Sequence, residues 1–323
     1  MATTEAPKAL VRRTPLDWSR AQLLRLRGAV DELWQDKAGL FGLVVVLLIL
    51  FLAIAAPIIS PHDPTAGALG ARLQPPFWLE GGSLTHPLGT DNLGRDVLSR
   101  IFFGARVSLL VGLSVVVIAG VVGVVAGLLA GYRGGRTDAI VMRIIDTQVA
   151  FPGLLLALTI LAVVGPSIGT VILVLSINGW MVYARVTRGA VLSLKEQPFV
   201  EAAEIVGCRS GRTIFRHILP NLASPLLTIG ILEFARIILA EAALSFLGLG
   251  IQPPNTSWGL DVAIGQDYIF NAWWVVTFPG LAIALTVLGI NLFASWLRIV
   301  ADPQEREKRF AAGANVANRA PAA

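Results

Sequence analysis

Residues 108–131 read SLLVGLSVVVIAGVVGVVAGLLAG, twenty-four positions without a charged, amide or aromatic side chain. A helix needs about 20 apolar residues to cross a hydrocarbon core about 30 Å thick. In that core only a helix or a closed barrel satisfies its own backbone groups. A barrel strand alternates polar and apolar residues, and this run does not, so it reads as a membrane-spanning helix over about Phe103–Gly131. Five further runs carry the same signal: Gly39–Ile59, Gln148–Val164, Ile168–Thr187, Leu222–Leu249 and Trp273–Leu297. Only Gly165, Pro166 and Ser167 separate the third from the fourth, a turn signal that requires a hairpin. The expected fold class is therefore an all-α polytopic membrane protein with six transmembrane helices.

Composition agrees. Of 323 residues 55% are hydrophobic and 15% charged, where a soluble domain carries about 25% charged residues. Mean hydropathy is +0.71. There is too little charge to coat a soluble surface. Ala53-Ile54-Ala55 imitates a leader cleavage site, but its apolar run is longer than a signal peptide uses and begins 38 residues into the chain.

The cations fix the expected orientation, because Lys and Arg are retained on the cytoplasmic side. They crowd residues 1–38, the connection with Arg133, Arg136 and Arg143, the connection from Arg185 to Arg216, and the tail from Arg298. The other side holds Arg72, Arg95, Arg100 and Arg106, and Arg236 lies within the fifth span. Six spans with both termini cytoplasmic reproduce this bias. The pI of 9.9 then reflects topology and anionic membrane lipid; no nucleic-acid-binding motif accompanies it. Leu23, Leu26, Val30 and Leu33 fall at helical spacing among arginines, so Asp17–Trp34 is expected to be an amphipathic helix on the inner leaflet, with a disordered basic leader as the alternative. The chain thus divides into a cytoplasmic segment 1–38, a transmembrane domain 39–303 and a frayed tail 304–323.

Most connections are short. Residues 188–220, RGAVLSLKEQPFVEAAEIVGCRSGRTIFRHILP, are long and polar. Ser193-Leu194-Lys195-Glu196 has the form of a capping box. Phe199–Val206 reads as a short helix with Glu201 in its first turn, where a carboxylate meets the positive dipole end. Ala202 and Ala203 offer a shallow surface, and Gly207 permits a sharp bend. A second helical stretch, Arg209–Ile218, ends at Leu219-Pro220, and Ser224-Pro225 is expected to start the fifth span as N-cap and first-turn proline. Such an L-shaped pair of helices is either a docking surface or an ordinary solvated connector.

The chemistry of catalysis is missing. Cys208 is the sole cysteine, and His62, His86 and His217 are scattered in sequence with no paired ligand spacing, so no metal site is expected. The four lysines follow Pro7, Asp36, Leu194 and Glu307. None follows a glycine, so the Gly-Lys-Ser/Thr of a phosphate-binding loop cannot occur. Gly248-Leu249-Gly250 reads as a helix end, and Asp91–Asp96 as a turn followed by an N-cap. Inside the spans, Glu233 and Arg236 can pair at i,i+3. Asn178, Arg236, Glu241 and Asn291 are intramembrane polar groups that either line a wet path or join helices.

Here the residues carry a resemblance. Glu201-Ala202-Ala203 with Gly207 and His217-Ile218-Leu219-Pro220 is similar to the EAA loop of bacterial ABC importer permeases, with His217 where the general pattern has Ile. His86-Pro87-Leu88-Gly89-Thr90-Asp91 through Gly94-Arg95-Asp96-Val97-Leu98-Ser99-Arg100, Ala150-Phe151-Pro152-Gly153, Leu244–Gly250 with Gln252-Pro253-Pro254 and Ser257-Trp258-Gly259, and Phe278-Pro279-Gly280 resemble the dipeptide/oligopeptide branch, C-type subunit. The likeness covers about residues 35–303 and implies the type I ABC importer permease fold. By that resemblance Glu201, Ala202, Ala203, Gly207, Leu219 and Pro220 couple the chain to a separate ATPase, while Asn178, Arg236 and Glu241 are pathway candidates. It implies a homologous permease partner in a heterodimer, two ATPase subunits binding ATP and Mg, an external solute-binding protein and a peptide substrate, in the bacterial cytoplasmic (inner) membrane. It implies no catalytic residue, cofactor or metal in this chain. The competing reading is a self-sufficient secondary carrier or channel, although no repeat relates the two halves.

Overall fold

The computed structural model describes residues 32–301, all helix and connecting loop with no strand among them. Asp17–Trp34 lies outside the described residues except for its last three, which are helical, and the tail 304–323 lies outside them altogether. The elements are α1 (Lys37–Ile59), α2 (Val97–Arg133), α3 (Gly135–Val149), α4 (Gly153–Val164), α5 (Ile168–Lys195), α6 (Pro198–Ile205), α7 (Leu219–Phe246), α8 (Trp258–Gly265) and α9 (Trp274–Ala301). Ser210–Thr213 and a π turn over Ile214–Ile218 lead straight into α7.

Five helices are long and apolar enough to span a membrane. The expected third span is different: α3 and α4 meet at an angle of 83°. Phe151-Pro152 interrupts the helix, and the 12 residues of α4 reach only about 18 Å at 1.5 Å per residue. What reads as one straight span is a broken pair, in which α3 carries Arg136, Asp138, Arg143 and Asp146 and α4 carries no charge. The hairpin stands as expected. Ser167 closes it with a capping box on Thr170, which satisfies the first free amides of α5.

Other boundaries also move. The second span is longer than its apolar run: 37 residues, started by Asp96, whose carboxylate accepts from the Ser99 amide at 2.8 Å. Ser193 caps nothing; it sits in the last turn of α5, which continues to Lys195 because Val191 and Leu194 extend its apolar face against Leu128 and Leu222. Ser224-Pro225 does not begin the fifth span. Pro220 occupies the first turn and Pro225 lies inside α7, since burial of Ile218 and Leu222 beside Val191 commits the chain to helix earlier.

Lipid tails are as apolar as leucine, so these helices associate by close packing rather than by expulsion of water. The tightest seam joins α2 to α5. Gly123, Gly127 and Gly131, at i,i+4,i+8, face Trp180–Val191. A methyl at Gly127 would lie 2.5 Å from the Ala184 carbonyl oxygen and 2.6 Å from Cβ of Thr187. A methyl at Gly131 would lie 2.9 Å from Cβ of Val191. The seam between α1 and α9 repeats the device, with a methyl at Gly42 falling 2.6 Å from the Gly289 carbonyl oxygen. The faces turned away from these seams carry exposed Phe51, Ile54, Leu113, Val121 and Leu285, the surface a span presents to lipid or to another span.

Gly127→Ala should therefore destabilise the chain by about 1–3 kcal/mol, the cost of overpacking a filled contact. Gly189→Ala in α5, with open space around it, should be neutral or slightly stabilising. Thermal unfolding of the two variants in one detergent checks the difference.

Candidate functional site

The loop after α5 is anchored to the ends of two spans. Pro198 occupies the first turn of α6, and Glu201 lies in that turn as expected. Gly207 has φ +82°. Its amide donates to the Glu204 carbonyl at 2.9 Å, and the Cys208 amide donates to the Ala203 carbonyl at 3.0 Å. These two bonds form a Schellman motif, which ends a helix through one left-handed residue. Space around Gly207 is open, so backbone conformation alone selects glycine there.

Beneath α6, Val200 and Ile218 are fully buried with Leu128, Val191 and Leu222. Glu204 accepts from the Tyr132 hydroxyl at 3.3 Å, and Lys195 donates to the Tyr132 carbonyl at 3.0 Å. The loop is thereby fastened to the ends of α2 and α5. The outer surface is mixed: among exposed Glu201, Arg209, Arg212 and Arg216, Ile205 is 79% exposed, Val206 84% and Phe215 70%.

This divides the six expected coupling residues. Glu201, Ala202, Gly207 and Pro220 are exposed. Ala203 is buried against the loop's own anchor, and Leu219 packs partly into the same cluster. The shallow two-alanine surface expected from the sequence is thus one alanine wide, because a helix turns about 100° per residue and Ala203 follows Val200 inward. Ile205, Val206 and Phe215, large apolar side chains in a mostly polar loop, are exposed beside them and were not among the residues expected from the sequence.

The polar groups of the spans separate as well. Arg236 pairs with Glu233 through Nε at 2.9 Å, and the Arg236 side chain is 53% exposed against 10% for Glu233. Glu241 is sealed between α2 and α7, accepting from Ser108 at 3.1 Å and Ser245 at 2.7 Å. That places it as a helix-to-helix tie, not on an open face. Asn178 is half-buried and donates to the Val174 carbonyl at 3.1 Å, with Gly153 of the α3–α4 bend beside it. Gln148 fastens the bend to α5, donating to the Ile177 carbonyl at 2.5 Å and accepting from Trp180 Nε1 at 3.1 Å. Asn291 donates back to its own helix at the Val287 carbonyl, 2.8 Å away.

At the opposite ends of the spans lies a buried ion network. Asp91–Asp96 forms the expected turn and N-cap, but its arginines do more than a turn requires. Asp91 accepts from Arg95 Nε at 2.6 Å and from the Leu93 and Arg95 amides at 2.8 and 2.9 Å. Arg100, 2% exposed, donates from Nε to Asp261 of α8 at 2.9 Å and from Nη1 to the Pro64 carbonyl at 3.2 Å. Trp258 Nε1 donates to the Ile101 carbonyl at 2.9 Å, and Trp274 Nε1 to the Thr90 carbonyl at 3.0 Å. The 86–100 motif is thus the hub that holds α8 and the start of α9 against α2. Removing one partner of a buried pair strands a charge, so Arg100→Ala should cost about 3–5 kcal/mol, read as a lowered melting temperature of the purified chain.

With this geometry in place, comparison with known proteins gives its context. Residues 123–307 match the family described as binding-protein-dependent transport system inner membrane component, and residues 25–76 match the N-terminal TM domain of oligopeptide transport permease C. The chain is 45% identical over 279 residues, 85% of its length and 92% of the relative, to the di/tripeptide transport system permease protein DppC of Pseudomonas aeruginosa (strain UCBPP-PA14). It is 46% identical over 282 residues, 86% and 94% of the two chains, to the dipeptide transport system permease protein DppC of Escherichia coli (strain K12). A DppC of Alkalihalophilus pseudofirmus is 39% identical over 278 residues, 86% and 90% of the two chains. The chain belongs to the family of inner-membrane permease components of binding-protein-dependent, ATP-driven import systems, and it carries no ATPase site of its own.

Proposed function

We propose that this chain is one half of a peptide-importing pore in the bacterial cytoplasmic membrane. It pairs with a homologous permease subunit and works with two ATPase subunits, which bind ATP and Mg, and an external solute-binding protein that delivers di- or oligopeptides. The names of its relatives support the peptide class, and the distribution of Lys and Arg supports cytoplasmic termini. In this orientation α6 faces the cytoplasm and the Arg100–Asp261 network faces outward.

One observation supports the coupling role: Ile205 and Val206 stand exposed at the end of α6, on a loop fastened to the ends of α2 and α5. An exposed apolar patch on an ordered loop marks a protein contact. Its anchor residues belong to the ends of α2 and α5, so a push on α6 is delivered to the glycine seam. ATP-driven approach of the two ATPases moves α6, and with it α2 and α5, as one body. The pore then opens toward the loaded binding protein, and hydrolysis resets it. Of the pathway candidates, Arg236 is the side chain with surface left to offer, and Asn178 at the α3–α4 bend is half-open. Glu241 is enclosed and serves packing.

The test is co-purification with the cognate ATPases. Glu201→Arg, Val206→Asp and Gly207→Pro should each weaken the complex by about tenfold or more, since each 1.4 kcal/mol of lost contact is a factor of ten. The melting temperature of the permease should stay within a few degrees for Glu201→Arg and Val206→Asp, whose backbones are undisturbed. A complex unchanged in all three variants would remove the coupling role from this loop.

A further inference from the structure

His62 and His86 are scattered in the sequence, but the fold brings them together. Their rings lie 4.5 Å apart between centroids, tilted by 31°. Asp96 completes the group: one ligand atom from each of His62, His86 and Asp96 lies within 4.8 Å of the others. His86 Nδ1 is 3.1 Å from Asp96 Oδ1. Two donors on a tetrahedral zinc ion, with bonds of about 2.0–2.1 Å, stand about 3.3 Å apart. The buried half of the arrangement therefore already has ligand spacing, and rotation of the exposed His62 side chain closes the rest.

The surroundings are built in the way a ligand set needs. Asp96 is fixed by its other oxygen, Oδ2, which accepts from the Ser99 amide at 2.8 Å and the Ser99 hydroxyl at 2.7 Å, leaving Oδ1 for the site. The His62 amide donates to the same Ser99 hydroxyl at 3.1 Å, so one residue positions two of the three. Such outer contacts orient metal ligands. The His62 ring takes no protein hydrogen bond among the described residues. The nearby arginines do not oppose a cation: Arg95 is neutralised by Asp91 and Arg100 by Asp261. His62 lines an open cleft of about 590 Å³ together with Asp63 and Arg106, whose charges offset each other, so an ion reaches the site from solvent.

We propose that His62, His86 and Asp96 bind one divalent transition-metal ion of the zinc class. Two imidazoles and one carboxylate suit Zn²⁺ and its neighbours rather than Mg²⁺ or Ca²⁺, which take all-oxygen sets. Three protein ligands leave a fourth position for water. The ion joins the segment following α1 to the residue that caps α2, on the membrane face away from α6. It therefore adds to the polar contacts that already join the outer ends of these two spans, and it stabilises the folded chain by binding it preferentially.

The experiment uses the full-length, tag-free chain in detergent, stripped with chelator and titrated with Zn²⁺, with bound metal counted by mass spectrometry. Expected are one ion per chain, a melting temperature that rises with Zn²⁺, and a tetrahedral visible spectrum when Co²⁺ replaces it. His62→Ala should weaken binding at least tenfold and abolish the zinc-dependent rise, while its metal-free melting temperature is unchanged because the side chain is exposed. His86→Ala should weaken binding similarly, and His217→Ala should bind as the native chain does. Absence of zinc binding, or binding as tight in His62→Ala and His86→Ala as in the native chain, would overturn the site and leave a plain His86–Asp96 pair beside a second imidazole.

Discussion

The contact between α2 and α5 bears on everything else in the molecule. In a lipid environment no water is released when two apolar helices meet, so association depends on how closely their backbones approach. Gly123, Gly127 and Gly131 let α2 lie directly against the backbone of α5 over three turns. Both helices then run on past the apolar layer, to Arg133 and Lys195. Their ends form the floor on which α6 is built. A bulky residue in the seam would separate the helices and split that floor.

From this contact the two faces of the protein acquire different characters. On the α6 side the structure is held by apolar burial, with Val200, Ile218 and Leu222 packed beside Val191 and Leu128, and its outer surface mixes apolar and charged side chains. On the other side the structure is held by charge: Asp91, Arg95, Arg100 and Asp261 are buried and mutually satisfied. The division has a physical logic. Short helices laid on the ends of α2 and α5 can be held by apolar burial, whereas a loop cluster that holds short helices over the ends of spans needs directional bonds. Hydrogen-bonded ion pairs supply direction, and apolar contact does not.

Much of this was legible in the chain. The run at 108–131, the hairpin signal Gly165-Pro166-Ser167 and the N-cap at Asp96 gave the helical architecture, because spanning length and backbone satisfaction leave little choice. The family resemblance rested on motifs whose structural sense is now plain: Gly207 is needed for its left-handed backbone, and the Gly-Arg-Asp of residues 94–96 for a turn, an ion pair and a cap. Helix ends were less legible. Ser193 and Ser224-Pro225 have the local chemistry of starts, yet burial of Leu194 and Leu222 carries the helices through or past them. Local signals decide where a helix could end; packing decides where it does.

By itself the sequence determined that the chain lies in a membrane, that it is helical, that it has no phosphate-binding loop and that its 188–220 connection contains short helices around a bend at Gly207. These follow from composition and short-range spacing, which act within a turn or two of the chain. The tertiary structure alone decided that α3 and α4 break at 83°, that Ala203 turns inward while Val206 turns out, that Glu241 is enclosed, and that Arg100 reaches Asp261 across 161 positions. It alone brought His62 to His86 and Asp96. The reason is common to all of them: which side of a helix is covered, and which distant charge a buried group meets, depends on how whole helices pack, and that information is not held in any one stretch of sequence.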